Sequence, residues 1–274
     1  MIRLIALDMD QTIFGTDFRI SDRVRSTIAR AQAASVAVTI ATGREAQMAV
    51  RFARELNITA PIICSQGACI FDDINNRMLH DVTLPMDVLP RILKGADRHG
   101  WNINFEVRGN LFFPEESKHS PAIFDLIRYS NWTRVKSLLH DLPAAPTKVV
   151  VSLDKTEDRD TVEAQMKDEL GDCLTVFPSH PYLVEGTPKN VHKGHGLAWL
   201  ANHLKIEQAD VMAIGDSEAD IPMIQWAGVG VAMQNGSDAV KAVADWVAPP
   251  LQDDGAAVAM EKFVLQTARG GQNL

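Results

Sequence analysis

An apolar run of four residues, Leu4-Ile5-Ala6-Leu7, stops abruptly at Asp8-Met9-Asp10-Gln11-Thr12. A run this short suits a buried strand. Side chains alternate along an extended end, so Asp8 and Asp10 point to one side and Met9 to the other. Two carboxylates facing one point need a cation, a shared proton or solvent.

The segments that follow keep one rhythm. Ser21 can cap a helix with Val24, Ile28 and Ala31 on one face, and Val36 to Ala41 reads as a second buried strand ending in Thr42-Gly43-Arg44. A helix with Met48, Phe52 and Leu56 at i, i+4 and i+8 leads to a third short run, Pro61-Ile62-Ile63-Cys64. Strand, helix, strand, helix, strand predicts a parallel sheet covered by helices. Ligands in such sheets sit outside the carboxyl ends of the strands, so Asp8 and Thr42 can face one crevice.

From about Leu84 the pattern changes. Pro85 to His99 reads as a helix. Trp101 to Val107 and Leu111 to Phe113 flank Arg108-Gly109-Asn110, a hairpin signal. A helix is expected over Pro121 to Tyr129, a strand over Lys148 to Leu153 and a helix over Thr161 to Leu170. Two short strands are expected over Cys173 to Phe177 and Tyr182 to Glu185, separated by Pro178-Ser179-His180-Pro181. Helices mixed with hairpins predict an inserted α+β domain over 84–187, with Trp101 and Phe105 in its core. The chain would enter it at Leu84-Pro85 and leave at Gly186-Thr187-Pro188. The first rhythm then returns over 188–274, which with 1–83 forms the other domain. Lys193 precedes a helix carrying Leu197, Leu200 and Leu204, and Val211 to Ile214 is a strand ending in Gly215-Asp216-Ser217-Glu218-Ala219-Asp220. Val229 to Met233 follows, and a last helix is expected over Ala256 to Thr267.

A net charge of −8 and a pI near 5.5 oppose non-specific binding to nucleic acid or anionic membrane. Cys64, Cys69 and Cys173 lack the paired spacing of a zinc site and suggest reduced thiols. The N-terminus runs straight into a strand without a signal peptide, and no apolar run approaches the roughly 20 residues of a membrane span. A cytoplasmic protein is expected, and nothing in the pattern specifies an oligomer.

Asp8 with Asp10, Thr42, Lys193, and Asp216 with Asp220 thus stand at strand or helix ends. Phosphoryl transfer needs an in-line nucleophile, a metal to neutralise phosphate charge, donors to the equatorial oxygens and a proton donor for the leaving oxygen. An Asp carboxylate can be that nucleophile, forming an aspartyl-phosphate that water later cleaves.

The order Asp8-Met9-Asp10-Gln11-Thr12, Thr42-Gly43-Arg44, Lys193-Gly194 and Gly215-Asp216 with Asp220 resembles the haloacid dehalogenase superfamily of phosphatases. Val231-Ala232-Met233-Gln234-Asn235 and Asp254-Gly255 are similar to its Cof-like branch, whose large α/β cap of type IIB follows the second motif. The resemblance implies a Rossmann-like parallel-sheet core with an inserted α+β cap. It implies Asp8 as nucleophile, Asp10 as general acid and base, Thr42 and Gly43 at the phosphate, and Lys193 opposite developing charge. It also implies Mg²⁺ held by the Asp8 carboxylate, the Asp10 backbone carbonyl and Asp216, with Asp220 positioning Lys193 or a metal-bound water. Arg44 could attract the anion or pair with a nearby acid.

Three positions depart from the family pattern. Gln11 stands where Gly is usual, Gln66 where Asn is usual, and Ala219 where an Asn precedes Asp220. Gln11 disfavours a backbone geometry with positive φ. His192 and His195 flank Lys193 at a helix start, where solvation of the helix end is expected rather than a metal. Gly228-Val229-Gly230 lacks the third glycine of a dinucleotide fingerprint and reads as a tight lead into a strand. The expected activity is Mg²⁺-dependent hydrolysis of a small phosphate ester, with a sugar phosphate or a phosphorylated cofactor as candidate substrates. A phosphomutase could use the same intermediate, and a low-turnover phospho-ligand-binding protein could keep the same residues.

Overall fold

The computed structural model describes residues 1–117, 132–154 and 158–265. Its central sheet has five parallel strands, β1 (Leu4–Leu7), β2 (Ala37–Ile40), β12 (Val211–Gly215), β13 (Val229–Met233) and β14 (Trp246–Ala248), in the order β14-β13-β12-β1-β2. Alternation along β1 decides which face each side chain joins. Ile5 and Leu7 pack with Val24, Ile28 and Ala31 of α1 (Asp22–Ala33), which the Ser21 side chain caps as expected. Leu4 and Ala6 pack on the other face with Leu197, Leu200 and Met223. Each large aliphatic side chain so buried contributes about 1.5–3 kcal/mol.

After β2 comes α2 (Ala46–Glu55), with Met48 and Phe52 inward as its spacing predicts. Next is a small antiparallel sheet of β3 (Ile62–Cys64), β4 (Cys69–Asp72) and β5 (Arg77–Asp81), of which the sequence suggested only the first.

The inserted unit carries a six-stranded sheet ordered β10-β11-β9-β6-β7-β8. Its strands are β6 (Asn102–Val107), β7 (Asn110–Pro114), β8 (Trp132–Val135), β9 (Lys148–Ser152), β10 (Leu174–His180) and β11 (Leu183–Pro188). Arg108 and Gly109 turn the β6–β7 hairpin with φ of 50° and 78°, as a two-residue primed turn requires. Helices α3 (Leu89–His99) and α4 (Arg159–Leu170) cover one face of this sheet, over a core that includes Trp101 and Phe105. The opposite face turns toward the central domain, where Leu111, Phe113, Val150 and Leu183 close on Met48 of α2.

Two expectations shift. Strand β10 continues through Pro178 to His180, and β11 runs on to Pro188, which pairs with Leu174. Gly186-Thr187-Pro188 therefore belongs to the second sheet and is not a free connection. The helix expected over 121–129 lies outside the described residues.

Helix α5 (Lys193–His203) returns the chain to the central sheet, followed by α6 (Ile221–Trp226), α7 (Asp238–Val243) and α8 (Gly255–Met260). The last continues as a wider π-turn to Leu265, and Thr267 lies outside the described residues. Among the described residues no helix is long and apolar enough to cross a membrane. All three cysteines are free thiols.

Candidate active site

Asp8 leaves the carboxyl end of β1, where its N–H still donates to the Ile214 carbonyl at 2.9 Å. The chain then turns so tightly that the Met9 carbonyl accepts from the N–H groups of Thr12, Ile13 and Phe14. That turn holds Gln11 at φ 62°, the left-handed conformation that its side chain disfavours at a cost of roughly 1–2 kcal/mol. Met9 is buried, while Asp8 and Asp10 both line the cavity.

Lys193, at the start of α5, is 3% exposed. Its Nζ lies 2.5 Å from Asp8 Oδ1 and 2.6 Å from Asp220 Oδ1. Burial works against the ammonium charge, but Asp220 and Asp8 outweigh it and raise the pKa above the ordinary lysine value. The other Asp220 oxygen accepts from the N–H groups of Asp216 and Ser217, at 3.0 and 2.9 Å, and from the Ser217 hydroxyl. Asp220 thus braces both Lys193 and the loop that presents Asp216. Asp216 Oδ1 accepts from the Thr12 hydroxyl at 2.8 Å, a contact the sequence did not suggest.

One ammonium faces three carboxylates here. Burial, with Asp220 and Asp10 adding to it against Lys193, pushes the Asp8 carboxyl up to about 7. Burial and the charges of Asp8 and Asp220 raise Asp216 well above the usual carboxylate range.

Thr42 is buried at the end of β2, and its hydroxyl accepts the Arg44 N–H at 3.1 Å. Arg44 folds onto Asp10, Nε to Oδ2 at 2.8 Å and Nη2 to Oδ1 at 2.7 Å. Of the two partners left open for Arg44, this arrangement takes the acid. Gly43 is confined by Gln66, whose Nε2 would lie 2.4 Å from an added Cβ. Gly67, at φ 92°, lies so close to the His192 carbonyl that a Cβ would come within 2.2 Å of it. His192 caps α5 by accepting the His195 N–H, as a helix-end role requires.

Asp8, Asp10, Thr42, Gly43, Arg44, Lys193 and Asp216 line a cavity of about 620 Å³ between the central sheet and the inserted unit. Lys148 and Glu185 line it from the inserted unit and Gln66 from the central domain, none of which the sequence singled out as binding residues. Ala219 and Asn235 also reach its wall, and the Asn235 amide donates to the Gln11 carbonyl at 2.9 Å.

Residues 5–260 match the model of a family described as haloacid dehalogenase-like hydrolase. The 5-amino-6-(5-phospho-D-ribitylamino)uracil phosphatase YitU of Bacillus subtilis is 28% identical over 268 residues, which span 95% of this chain and 97% of that protein. A haloacid dehalogenase-like hydrolase from Bacteroides thetaiotaomicron superposes with a TM-score of 0.80 at 27% identity, over 96% of this chain and 99% of the other. A sugar phosphatase of subclass IIB, BT4131, superposes with a TM-score of 0.83 over 95% and 98% of the two chains. Its 22% identity speaks for the fold alone.

Proposed function

The chain belongs to the haloacid dehalogenase-like hydrolases, and we propose that it is a Mg²⁺-dependent phosphatase of small phosphate monoesters working through a phosphorylated Asp8. The observation that carries this reading is the Lys193 ammonium held between Asp8 and Asp220 at the floor of the cavity, with Asp10 at its opening. The naming of the YitU relative as a phosphatase of a phosphorylated ribityl compound supports the same class.

Asp8 attacks phosphorus, and the P–O bond to the leaving group breaks. Asp10 gives its proton to the departing oxygen, then takes one from the water that cleaves the acyl phosphate and frees inorganic phosphate. Lys193 keeps positive charge beside the transferring group, and Thr42 lies within the same cavity wall. Asp220 holds Lys193 in place through both steps.

The donor set suits a hard divalent cation. Carboxylate oxygens of Asp8, Asp216 and Asp220 lie within 4.8 Å of one another, and Lys193 is the one ammonium in contact with Asp8 and Asp220. Asp220 is engaged by Lys193 and its own loop, which leaves Asp8, Asp216 and the Asp10 carbonyl to hold Mg²⁺ alongside waters and phosphate. Bound Mg²⁺ would offset the negative charge of the transferring phosphoryl group.

The test is phosphate release from a panel of monoesters with and without Mg²⁺, by wild type and Asp8→Asn. Mg²⁺-dependent release that Asp8→Asn abolishes is expected. Turnover by Asp8→Asn near the wild-type rate, or full activity after exhaustive chelation, would overturn the reading.

A further inference from the structure

The turn after β1 continues into a short hairpin that carries aromatic rings beside the acid. Bridges of Asp10 with Phe14 and of Phe14 with Ile20 tie this hairpin to the backbone of Asp10 itself. Phe14 is fully buried and stacks on Phe52 of α2, with ring centres 4.6 Å apart. Phe18, in the hairpin loop, lies 5.4 Å from Phe14 and 6.5 Å from Phe52, ring centre to ring centre. This apolar cluster fixes the Phe18 ring, which is half-buried and lines the cavity.

Phe18 is held at φ 58°. A bulky residue rarely takes this left-handed conformation, which persists only where neighbours over-determine it, and such strain gathers at functional sites. Filling the core does not require it, since Phe14 and Phe52 already stack on each other.

The Phe18 ring has a charged neighbour as well. Arg44 Cζ lies over it, 5.3 Å from its centre, within the range where a guanidinium is drawn to the negative face of an aromatic ring. Arg51 is 5.9 Å from the same centre but sits closer to Phe52, at 4.3 Å. The Arg44 fork on Asp10 uses Nε and Nη2, which lie in the guanidinium plane. Two in-plane bonds set direction and distance but leave the plane free to tilt. A ring over its face restrains that tilt. The restraint matters because the Asp10 carboxylate is half exposed, and a proton donor has to stay within hydrogen-bond reach of the leaving oxygen.

We propose that Phe18 is a positioning residue for proton transfer: its ring seats the Arg44 guanidinium and thereby steadies the Asp10 carboxylate that Arg44 forks. The proposal rests on the phosphatase reading above and adds the part that steadies its acid. Acting through Arg44, Phe18 should matter where the leaving group needs a proton and little where it does not.

The measurement is kcat for n-propyl phosphate, whose alkoxide leaves only with a proton, against p-nitrophenyl phosphate, whose leaving group needs little protonation. Wild type, Phe18→Leu, Phe18→Tyr and Phe18→Leu in an Arg44→Ala background are compared, and folding of each is followed by thermal unfolding. Phe18→Leu keeps apolar bulk but lacks the ring face. It should lower kcat for n-propyl phosphate about threefold to tenfold more than for p-nitrophenyl phosphate. Phe18→Tyr keeps the face and should hold the wild-type ratio. Without Arg44 the ring has nothing to seat, so Phe18→Leu in that background should shift the ratio by less than about twofold. In Phe18→Leu the Arg44 Nε–H proton, followed by NMR and assigned by its absence from Arg44→Lys, should exchange with water faster than in wild type. Phe18→Met serves in both measurements if Phe18→Leu folds poorly. Equal losses on the two esters, the same shift in the Arg44→Ala background, or an unchanged Nε–H exchange rate overturns the role of Phe18 and leaves the phosphatase reading standing. No hydrolysis of either ester by wild type overturns the phosphatase reading, while the Nε–H exchange rate still decides whether Phe18 seats Arg44.

Discussion

Arg44 grips Asp10 at two points, with Nε and Nη2 each bonded to a different carboxylate oxygen. The guanidinium is buried at 9% side-chain exposure, whereas the carboxylate is 49% exposed. The fork takes both carboxylate oxygens, and both residues line the cavity. A planar fork on a carboxylate fixes direction as well as distance.

This pair predicts a leaving-group signature for Arg44→Ala. If Arg44 works through Asp10, kcat should fall by about tenfold to a hundredfold with an alkyl phosphate and far less with p-nitrophenyl phosphate, whose leaving group needs little protonation. Arg44→Lys should not restore the alkyl rate, because an ammonium cannot reproduce the two-point contact. Equal losses on both substrates, with KM rising, would show instead that Arg44 binds phosphate.

Asp8→Asn should separate activity from stability. The amide is nearly isosteric but a poor nucleophile, so turnover should drop by several decades. Ionising Asp8 in the metal-free fold is costly, as its carboxyl near 7 records, and Lys193 would keep Asp220 as a partner. The variant should therefore melt higher than wild type in chelator at pH 8. A lower melting temperature there would show that the Asp8–Lys193 pair stabilises more than burial costs.

The pH dependence of metal-free stability follows from the raised carboxyls of Asp8, Asp216 and Glu45, Asp216 being lifted by burial and by the charges of Asp8 and Asp220. Asp8 moves from 3.8 to about 7, mainly by burial. Glu45 moves from 4.5 to about 7, again mainly by burial, although its two oxygens cap α2 through the N–H groups of Gln47 and Met48. The folded state binds these protons more tightly than the unfolded chain. Their stabilising contribution is thus complete below about pH 4 and is lost as pH climbs through about 7. Melting temperature in chelator should fall between pH 5 and pH 8, and Mg²⁺ at pH 8 should recover the Asp8 and Asp216 shares but not that of Glu45. A metal-free melting temperature that rises across this interval would contradict the buried state of these groups.

Much of this arrangement is legible in sequence because it lies at the ends of short apolar strands. Leu4–Leu7, Ala37–Ile40 and Val211–Gly215 announce themselves by composition, and a parallel sheet then brings Asp8, Thr42 and Asp216 to one edge. Glu106, Lys148 and Glu185 of the inserted sheet, whose ammonium lies 3.4 Å and 2.8 Å from the two carboxylates, are invisible in that way. A polar residue in an alternating strand reads as solvent-facing, and only the closure of the two domains buries these three. Strand β5 escapes for a different reason, since the exposed side chains of Arg77 and Met78 carry little alternation. The left-handed Gln11 shows a tight turn overriding residue preference, which propensity alone would have excluded.

The last prediction concerns where the inserted unit pivots, and we place the hinges at Thr83 and at the Val191–His192 junction. Val82 N–H donates to the Ala68 carbonyl of the central domain at 2.9 Å, whereas Leu84 N–H donates to the Pro146 carbonyl of the inserted unit at 2.7 Å. Thr83 alone separates these two anchors. On the return crossing, Asn190 N–H donates to the Thr175 hydroxyl at 2.8 Å, and the Val191 carbonyl accepts from Thr187 at 2.5 Å. Two residues later Lys193 is tied to Asp8. The prolines at 85 and 188 therefore lie on the inserted side of both pivots, and Pro188 is held in β11. Replacing both by Gly should lower the melting temperature by adding freedom to the unfolded chain, without changing how a large ester compares with a small one. Thr83→Gly loosens the pivot itself. It should lower kcat/KM for glucitol 6-phosphate by about threefold to tenfold relative to p-nitrophenyl phosphate, since only the larger substrate draws on closure of the second domain. A relative loss that follows the proline pair and spares Thr83→Gly would move the hinge back to Leu84-Pro85 and Gly186-Thr187-Pro188.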